Sequence, residues 1–258
     1  MNIKRNVLDR LFPLISDRKT VSLGSASATY SISSRLDYNS VISFGGERGI
    51  LYDLLHMVNS DDVFYDIGAH YGLYTCLVGD LLNEGEVIAF EPFPNNVEQL
   101  KRNISINQTP ARVVEKVLWD QEGKVEMGRD HEKTGTRVIN TGDGRISGET
   151  TEDQSMRRVT GDSLVWQQDI PEPTILKIDV EGAEVRVLRG LKKTLQNSDC
   201  RLIFCEIHFP MKDGIRSPKD YDDSPYEVYD ILRDHGFSIT QLDPEGNRYG
   251  EHFICAER

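Results

Sequence analysis

Apolar positions along the chain follow two spacings, which alternate from residue 61 onward. Short apolar runs of about four to eight residues, such as residues 63–67 and 174–180, are typical of buried strands. Between them, apolar residues recur every three or four positions over longer stretches, as in amphipathic helices. We therefore predict strands at residues 63–67, 86–91, 112–118, 174–180, 201–208, 237–242 and 252–256, and helices at residues 71–82, 94–106, 183–195 and 226–235.

This alternation of strands and helices predicts an α/β fold of the Rossmann-like type. The sheet is expected to be mainly parallel, with helices on both faces, because parallel neighbours need a crossover connection between them. Residues 61–258 are predicted to form this domain. Ligands of such sheets bind beyond the carboxyl ends of the strands, so residues that follow a strand are the candidates for a site.

Two segments depart from the alternation. Residues 1–60 form an N-terminal flank, which we expect to pack on the core. Residues 128–158 form a long polar insertion, for which a mobile substrate loop is the favoured interpretation. A solvated excursion with a small hairpin around residues 136–139 is the alternative. The predicted elements of the flank are short strands at residues 21–23 and 28–32 and a helix at residues 47–58.

Charge and composition narrow the class of protein. The chain has 42 acidic and 30 basic residues, and its formal net charge of −12 disfavours nucleic acid as a partner. No apolar run reaches the ~18 residues of a membrane helix, and the N-terminal segment lacks the cleavage site of a signal peptide. We expect a cytoplasmic protein with no integral membrane segment and with four free thiols, at Cys76, Cys200, Cys205 and Cys255.

The first core strand runs into a glycine-containing turn, DIGAHYG, at residues 66–72. Gly68 and Gly72 let the chain turn sharply into a helix and approach a ligand closely. Glu91 ends the next strand, where a carboxylate accepts hydrogen bonds from both hydroxyls of a ribose. This combination predicts a site for a nucleoside-containing cofactor.

The turn lacks the G-x-G-x-x-G spacing of dinucleotide-binding folds. Asp66 stands where a pyrophosphate would approach the helix N-terminus, and a carboxylate there repels a diphosphate. The same carboxylate suits the amine of a cationic ligand such as S-adenosyl-L-methionine, which argues against NAD. The alternative is that Asp66 only caps the turn and Gly72 only packs.

Four stretches of the chain resemble the FkbM family of methyltransferases: VFYDIGAHYGLYTCLVG, GEVIAFEPFPNNVEQLKRNISIN, ILKIDVEGAEVRVLRGLKKTL and LIFCEIH. They lie within residues 63–208, and DVEGAE is the most distinctive part. The resemblance implies a class I methyltransferase fold with a seven-stranded sheet and S-adenosyl-L-methionine as the cofactor. It also implies O-methylation, often of sugars or of hydroxyls on secondary metabolites.

The resemblance carries a set of cofactor contacts onto this sequence, namely Asp66, Gly68, Gly72 and Glu91. Their neighbours Ala69, His70 and Pro92 are added to the set, as are Trp119 and Asp120, which follow the third core strand where the fold places an adenine. A role as an ordinary core residue is the alternative for Trp119.

Candidates for catalysis follow the later strands. Methyl transfer to a hydroxyl needs alignment and a base, and the candidates are Asp179, Glu181 and His208. A strand-end histidine bonded to backbone is the alternative for His208, and an offset of the helix dipole is the alternative for Glu181. With Glu206 these side chains could form a divalent-cation site, but no spacing demands one, so no metal is predicted.

The residues and the resemblance together favour an S-adenosyl-L-methionine-dependent O-methyltransferase. Its acceptor is expected to be a small molecule or a glycan, most simply a sugar hydroxyl on a glycan or glycolipid, with peripheral membrane contact if the acceptor is lipid-linked. Methyl ester formation on a sugar carboxylate is the alternative, and it needs no strong base. A nicotinamide-dependent oxidoreductase and a non-catalytic nucleoside-ligand binding protein are the alternatives from other classes.

Overall fold

The computed structural model describes residues 17–130, 136–140, 150–210, 217–242 and 251–258. Short 3-10 turns lie at Phe44–Gly46, Thr194–Gln196 and Pro218–Tyr221. The other elements, in chain order, are β1 (Arg18–Leu23), β2 (Ala26–Ser31), α1 (Arg35–Ser43), α2 (Arg48–Met57), β3 (Val63–Ile67), α3 (Leu73–Gly79), β4 (Glu86–Phe90), α4 (Pro94–Asn107), β5 (Ala111–Val114), β6 (Val117–Leu118), β7 (Gly123–Asp130), β8 (Thr136–Asn140), β9 (Thr150–Val159), α5 (Gly161–Gln168), β10 (Ile175–Ile178), α6 (Glu184–Gly190), β11 (Leu202–His208), α7 (Tyr226–Asp234), β12 (Ser238–Gln241) and β13 (Glu251–Glu257).

The central sheet has seven strands in the order β12-β13-β11-β10-β3-β4-β5. Neighbouring strands are parallel except at β13, which runs antiparallel to both β11 and β12. In this register Lys177 of β10 lies opposite Asp66 of β3. The predicted α/β fold with a mainly parallel seven-stranded sheet is confirmed.

Helices cover both faces of the central sheet, because successive residues of each strand point to opposite sides. Phe64 and Ile175 belong to a core beneath α3, α4 and the β1–β2 hairpin. Tyr65 and Leu176 belong to a second core beneath α6 and α7. The parallel strands are therefore buried on both faces, which is why they read as continuous apolar runs in the sequence.

The N-terminal hairpin β1–β2 packs against α3 and α4. The backbone N–H of Ser31 donates to Oδ1 of Asn103 over 2.8 Å, and the Tyr30 hydroxyl donates to the carbonyl of Leu73 over 2.9 Å. These bonds attach the flank to α3, which follows the glycine turn, and to α4, which follows β4. The flank is therefore part of the structure around the site.

Two helices, α1 and α5, were absent from the sequence-based expectations. They are only nine and eight residues long, which is too short for a clear apolar periodicity. Their caps are visible in the sequence. Ser34 and Asp37 form a capping box at the start of α1, and the Thr160 hydroxyl accepts from the N–H of Ser163 at the start of α5.

A second sheet, in the order β6-β9-β7-β8, contains the described part of the polar insertion. The expectation of a loop over residues 128–158 is corrected, because residues 136–140 and 150–158 lie in strands, and residues 131–135 and 141–149 lie outside the described residues. β8 pairs antiparallel with β7, where the alternative placed a hairpin. Only every second side chain of β7 is apolar and buried, as at Val125 and Met127. The other side chains are polar and face outward, so the sequence of this segment did not predict a strand.

Some predicted elements differ in extent. Residues 112–118 form two strands that belong to different sheets, since β5 pairs with β4 and β6 pairs with β9. The helix predicted at residues 183–195 ends at Gly190 and is followed by a 3-10 turn. None of the helices in the described part of the chain is long and apolar enough to cross a membrane.

Candidate active site

A cavity of ≈ 290 Å³ lies at the carboxyl ends of β3, β4 and β10, where a parallel sheet places its ligands. The flank, the central sheet and the second sheet all contribute to its wall. Several predicted site residues line it: Gly68, Ala69, His70, Glu91, Pro92, Trp119, Asp179 and Glu181. Others are not among the lining residues: Asp66, Gly72, Asp120 and His208.

The turn after β3 requires glycine at residue 68. Gly68 has φ +84°, and a Cβ built on it would lie 1.9 Å from the carbonyl oxygen of Asp179. The backbone after β3 therefore touches the backbone after β10, and any side chain at this position would separate them. This contact brings the predicted cofactor turn and the predicted catalytic Asp179 to one wall of the cavity.

Asp66 does not line the cavity and instead binds the start of α3, the helix after the turn. Its Oδ2 accepts from the backbone N–H and the hydroxyl of Thr75, over 3.0 and 2.6 Å. Its Oδ1 is buried without a hydrogen-bond partner among the described residues and lies 3.6 Å from Nζ of Lys177. Gly72 packs, because a Cβ there would lie 2.6 Å from Cδ1 of Leu100. Both placements follow the capping and packing alternative.

Glu91 presents a buried carboxylate to the cavity, with 3% of the residue exposed. Its Oε2 accepts from the backbone N–H of His70 and its Oε1 accepts from that of Phe93, both over 2.9 Å. Burial raises the pKa of Glu91 to about 7, although these hydrogen bonds oppose the shift. The side chain of Asn96 also interacts with this carboxylate and likewise lowers the pKa of Glu91.

Trp119 and Asp120 face different surroundings although they are adjacent. Trp119 lines the cavity and packs edge-on against Tyr221, with ring centroids 5.3 Å apart. Asp120 accepts from Arg186 over 2.8 Å in an ion pair. Trp119 is 1% exposed and belongs to a core cluster with Met127 and Tyr221, as the alternative expected, whereas Asp120 pairs with α6.

Lys177 is a buried cation behind the cavity wall. Its Nζ lies 3.2 Å from Oδ2 of Asp179 and donates to the carbonyl of Gly68 over 3.2 Å. Burial opposes charge on Asp179, but the neighbouring Lys177 and His208 outweigh it and lower the pKa of Asp179 below its usual value. The cavity therefore has an ionised carboxylate at the end of β10.

The flank supplies Glu47, which the sequence did not suggest as a site residue. Glu47 lines the cavity, and its Oε2 accepts from the Tyr74 hydroxyl over 2.6 Å. Burial and the nearby Asp179 raise the pKa of Glu47 to about 7. The folding of the flank onto α3 brings Glu47 here. Glu47 lies 19 positions before Asp66, outside the stretches that resemble the family.

A second cavity of ≈ 500 Å³ adjoins the first, and Gly45 and Glu47 line both. No basic side chain is among the described residues that line it. Its carboxylates come from the flank and from strands β11 and β13: Glu47, Asp53, Glu206 and Glu251. The described lining of this cavity is therefore acidic.

Glu206 and His208 lie two positions apart at the end of β11. Glu206 is hydrogen-bonded to the carboxyl group of Asp179, and burial together with that neighbour raises the pKa of Glu206 well above its usual range. Nδ1 of His208 lies 2.7 Å from Oε1 of Glu184. Burial opposes charge on His208, but Glu184, Asp179 and Glu181 raise its pKa to about 9. The histidine is thus paired with a side chain and not with backbone.

Comparison with known proteins gives the family. The model of the Methyltransferase FkbM domain matches residues 66–239. Hexuronic acid methyltransferase AglP of Haloferax volcanii is 29% identical over 163 residues, which are 63% of this chain and 63% of that relative, less than two thirds of its length. The 31-O-demethyl-FK506 methyltransferase FkbM of Streptomyces tacrolimicus is 27% identical over 226 residues, covering 76% of this chain and 81% of that one. The chain belongs to the FkbM methyltransferase domain family.

Proposed function

We propose that the protein transfers a methyl group from S-adenosyl-L-methionine to a hydroxyl oxygen of a sugar. The observation that carries this proposal is the pair of adjoining cavities at the carboxyl ends of the parallel strands. One is lined by the glycine turn and Glu91, and the other is lined by carboxylates that suit a polyhydroxyl acceptor. Asp179 lines the first and is hydrogen-bonded to Glu206, which lines the second.

The residues of the first cavity fit the cofactor. Glu91 offers acceptors for two ribose hydroxyls, and the bare backbone at Gly68 leaves room for close approach. Val117, Leu118 and Trp119 provide an apolar wall for an adenine. The cavity volume is close to the lower end of the ~300–1,000 Å³ of ligand pockets. When bound, the cofactor supplies an electrophilic methyl group on a positively charged sulfur, which the surrounding carboxylates favour.

The chain's own residues then have two tasks. The first is alignment, since the backbone contact between Gly68 and Asp179 fixes the cofactor turn relative to the end of β10. The second is removal of a proton from the acceptor hydroxyl, for which Asp179 is placed at the cavity wall with Lys177 3.2 Å behind it. Glu181 lines the same wall and is placed to orient the acceptor.

The acceptor is proposed to be a neutral sugar and not a sugar acid. The described lining of the second cavity has four acidic side chains and no basic one, so no side chain there would pair with a sugar carboxylate. Sugar hydroxyls, in contrast, donate hydrogen bonds to carboxylates. The relative AglP is named for a hexuronic acid, which makes the distinction between ether and ester worth testing. The net charge of −12 supports an acceptor other than nucleic acid.

The test is methylation of a panel of free and glycan-linked sugars with S-adenosyl-L-methionine labelled in the methyl group. We expect label in neutral sugars, and we expect it to survive mild alkali, because ethers resist hydrolysis and esters do not. Label found only in uronic acids and released by alkali would replace the ether with the ester. No label in any sugar would contradict the proposed acceptor class.

A further inference from the structure

We infer that Asp179, Glu206 and His208 form a divalent-cation site at the junction of the two cavities. Each side chain offers one ligand atom, and these atoms lie within 4.8 Å of one another. Opposite ligands of one cation bound at about 2.1–2.5 Å are about 4–5 Å apart, so the three atoms are already within reach of a single ion.

The histidine is held as a metal-binding histidine is held. His208 is 4% exposed, and its Nδ1 is bonded to the fully buried carboxylate of Glu184. This bond occupies Nδ1 and leaves Nε2 as the ring nitrogen for a further ligand. A carboxylate on one ring nitrogen fixes the ring and leaves the other nitrogen for a metal, which is the usual arrangement around ligating histidines. Glu184 thus points to a ligand at Nε2 independently of the two acidic ligands.

Glu206 has no basic partner of its own in the described part of the chain, whereas Asp179 is paired with Lys177. Glu206 is 8% exposed and contacts the carboxyl group of Asp179, while no lysine or arginine of the described residues forms an ion pair with it. Lys177 pairs with Asp66 and Asp179 instead. A cation between Glu206 and Asp179 would give Glu206 the counter-charge that it lacks. Two oxygen ligands with one imidazole suit Mg²⁺ or Mn²⁺.

The position of this site gives the cation a task. Asp179 lines the first cavity and Glu206 lines the second, so an ion between them would lie where the acceptor meets the cofactor. A cation that binds the acceptor hydroxyl makes its proton easier to lose. The Asp179 oxygen that does not bind the ion would accept that proton, which keeps Asp179 as the base of the proposed transfer. Binding of the ion itself does not depend on the proposed methyl transfer.

The test is a titration of the full chain, stripped with chelator, with Mn²⁺ followed by electron paramagnetic resonance. We expect one saturable site that Mg²⁺ competes for, and we expect Glu206→Gln to weaken it by about tenfold or more. Asp53→Asn is the matched control, because it removes a carboxylate from the same cavity but not from the cluster. Its affinity should stay within about twofold of wild type.

Absence of a saturable site would overturn the inference, as would equal weakening in both variants, which would mean diffuse attraction to an acidic cavity. If Glu206→Gln binds Mn²⁺ with wild-type affinity, the inference is also overturned, and Glu206 and Asp179 share a proton instead of a cation. If Glu206→Gln fails to fold by circular dichroism, His208→Gln takes its place with the same expectation. Binding of S-adenosylhomocysteine without metal, measured in parallel, separates failure of this inference from failure of the proposed function.

Discussion

Glu91 shows how one residue can join fold and function through burial. Its carboxylate holds the turn after β3 by accepting from His70 and also holds the start of α4 by accepting from Phe93. Burial makes its ionised form costly, and ribose hydroxyls would offset that cost by donating to it. The protein therefore keeps an under-solvated acceptor where a ligand can complete its hydrogen bonding.

The affinity for S-adenosylhomocysteine should consequently depend on pH. Because the pKa of Glu91 is raised to about 7, the free protein binds a proton at lower pH, and ligand hydroxyls must compete with it. The dissociation constant should fall by about tenfold between pH 6 and pH 8. The raised pKa of Glu91 also affects stability. It favours the folded state at low pH, where Glu91 is protonated, and this contribution is lost as pH rises through 7. Calorimetric titrations at several pH values measure the trend, and Glu91→Gln should flatten it. An equally steep trend in that variant would assign the proton to another group.

Gly68→Ala should disrupt the site through its backbone. The new Cβ would overlap the carbonyl of Asp179, so the turn after β3 or the end of β10 must move, at a cost of about 1–3 kcal/mol. Gly236→Ala is a matched control, since Gly236 has φ +85° but no atom within 4 Å of a built Cβ. Thermal unfolding should show a larger loss for Gly68→Ala, and only this variant should lose binding of S-adenosylhomocysteine. Similar losses of stability in both would mean that the positive φ dominates and that the close contact matters little.

At the scale of elements, the flank and the second sheet complete a site that the central sheet begins. Ser40 and Glu47 come from the flank, Met127 comes from β7, and all three line the first cavity. The family match covers residues 66–239 and so leaves the flank outside. The flank thus lies beyond the family match, and we expect Ser40 and Glu47 to help select the acceptor.

Asn103 of α4 is predicted to be the main attachment of the flank. It accepts from Ser31 of β2 and donates to the carbonyl of Tyr71 over 2.8 Å, and it is fully buried. Asn103→Ala leaves a buried N–H and a buried carbonyl without partners, which costs about 1–3 kcal/mol for each. Asn95→Ala, on an exposed position of the same helix, is the control and should stay within about 0.5 kcal/mol. Urea unfolding measures both. A neutral Asn103→Ala would contradict this assignment and would leave the attachment to the other bonds of the flank, such as that of Tyr30 to the carbonyl of Leu73.

The sequence predicted the strands, helices and turns that are determined by residues close together in the chain. Core strands are mostly apolar because both of their faces are buried, and the turn at Gly68 and the acid at Glu91 occupy fixed positions relative to them. Contacts between distant segments left no such pattern. Glu47 reaches the cavity only after the flank folds onto α3, and the pairing of His208 with Glu184 crosses from β11 to α6. The strands of the polar insertion were missed because half of their side chains face outward.

For the whole molecule, the charge distribution matters more than its sum. The net charge of −12 is spread over the chain, yet carboxylates also concentrate around the two cavities, with the buried Lys177 among them. A positively charged cofactor is favoured in such a field and a diphosphate is disfavoured. The same field favours the inferred cation as well as the proposed cofactor, and it does not oppose a neutral acceptor.

The most direct measurement is calorimetric titration of the protein with S-adenosylhomocysteine and, in parallel, with NAD. We predict one saturable site for S-adenosylhomocysteine and none for NAD. Glu91→Ala should weaken the former by about tenfold or more, equal to about 1.4 kcal/mol, while the exposed Glu98→Ala on α4 should leave it unchanged. Absence of binding, equal binding by Glu91→Ala, or preference for NAD would contradict the account.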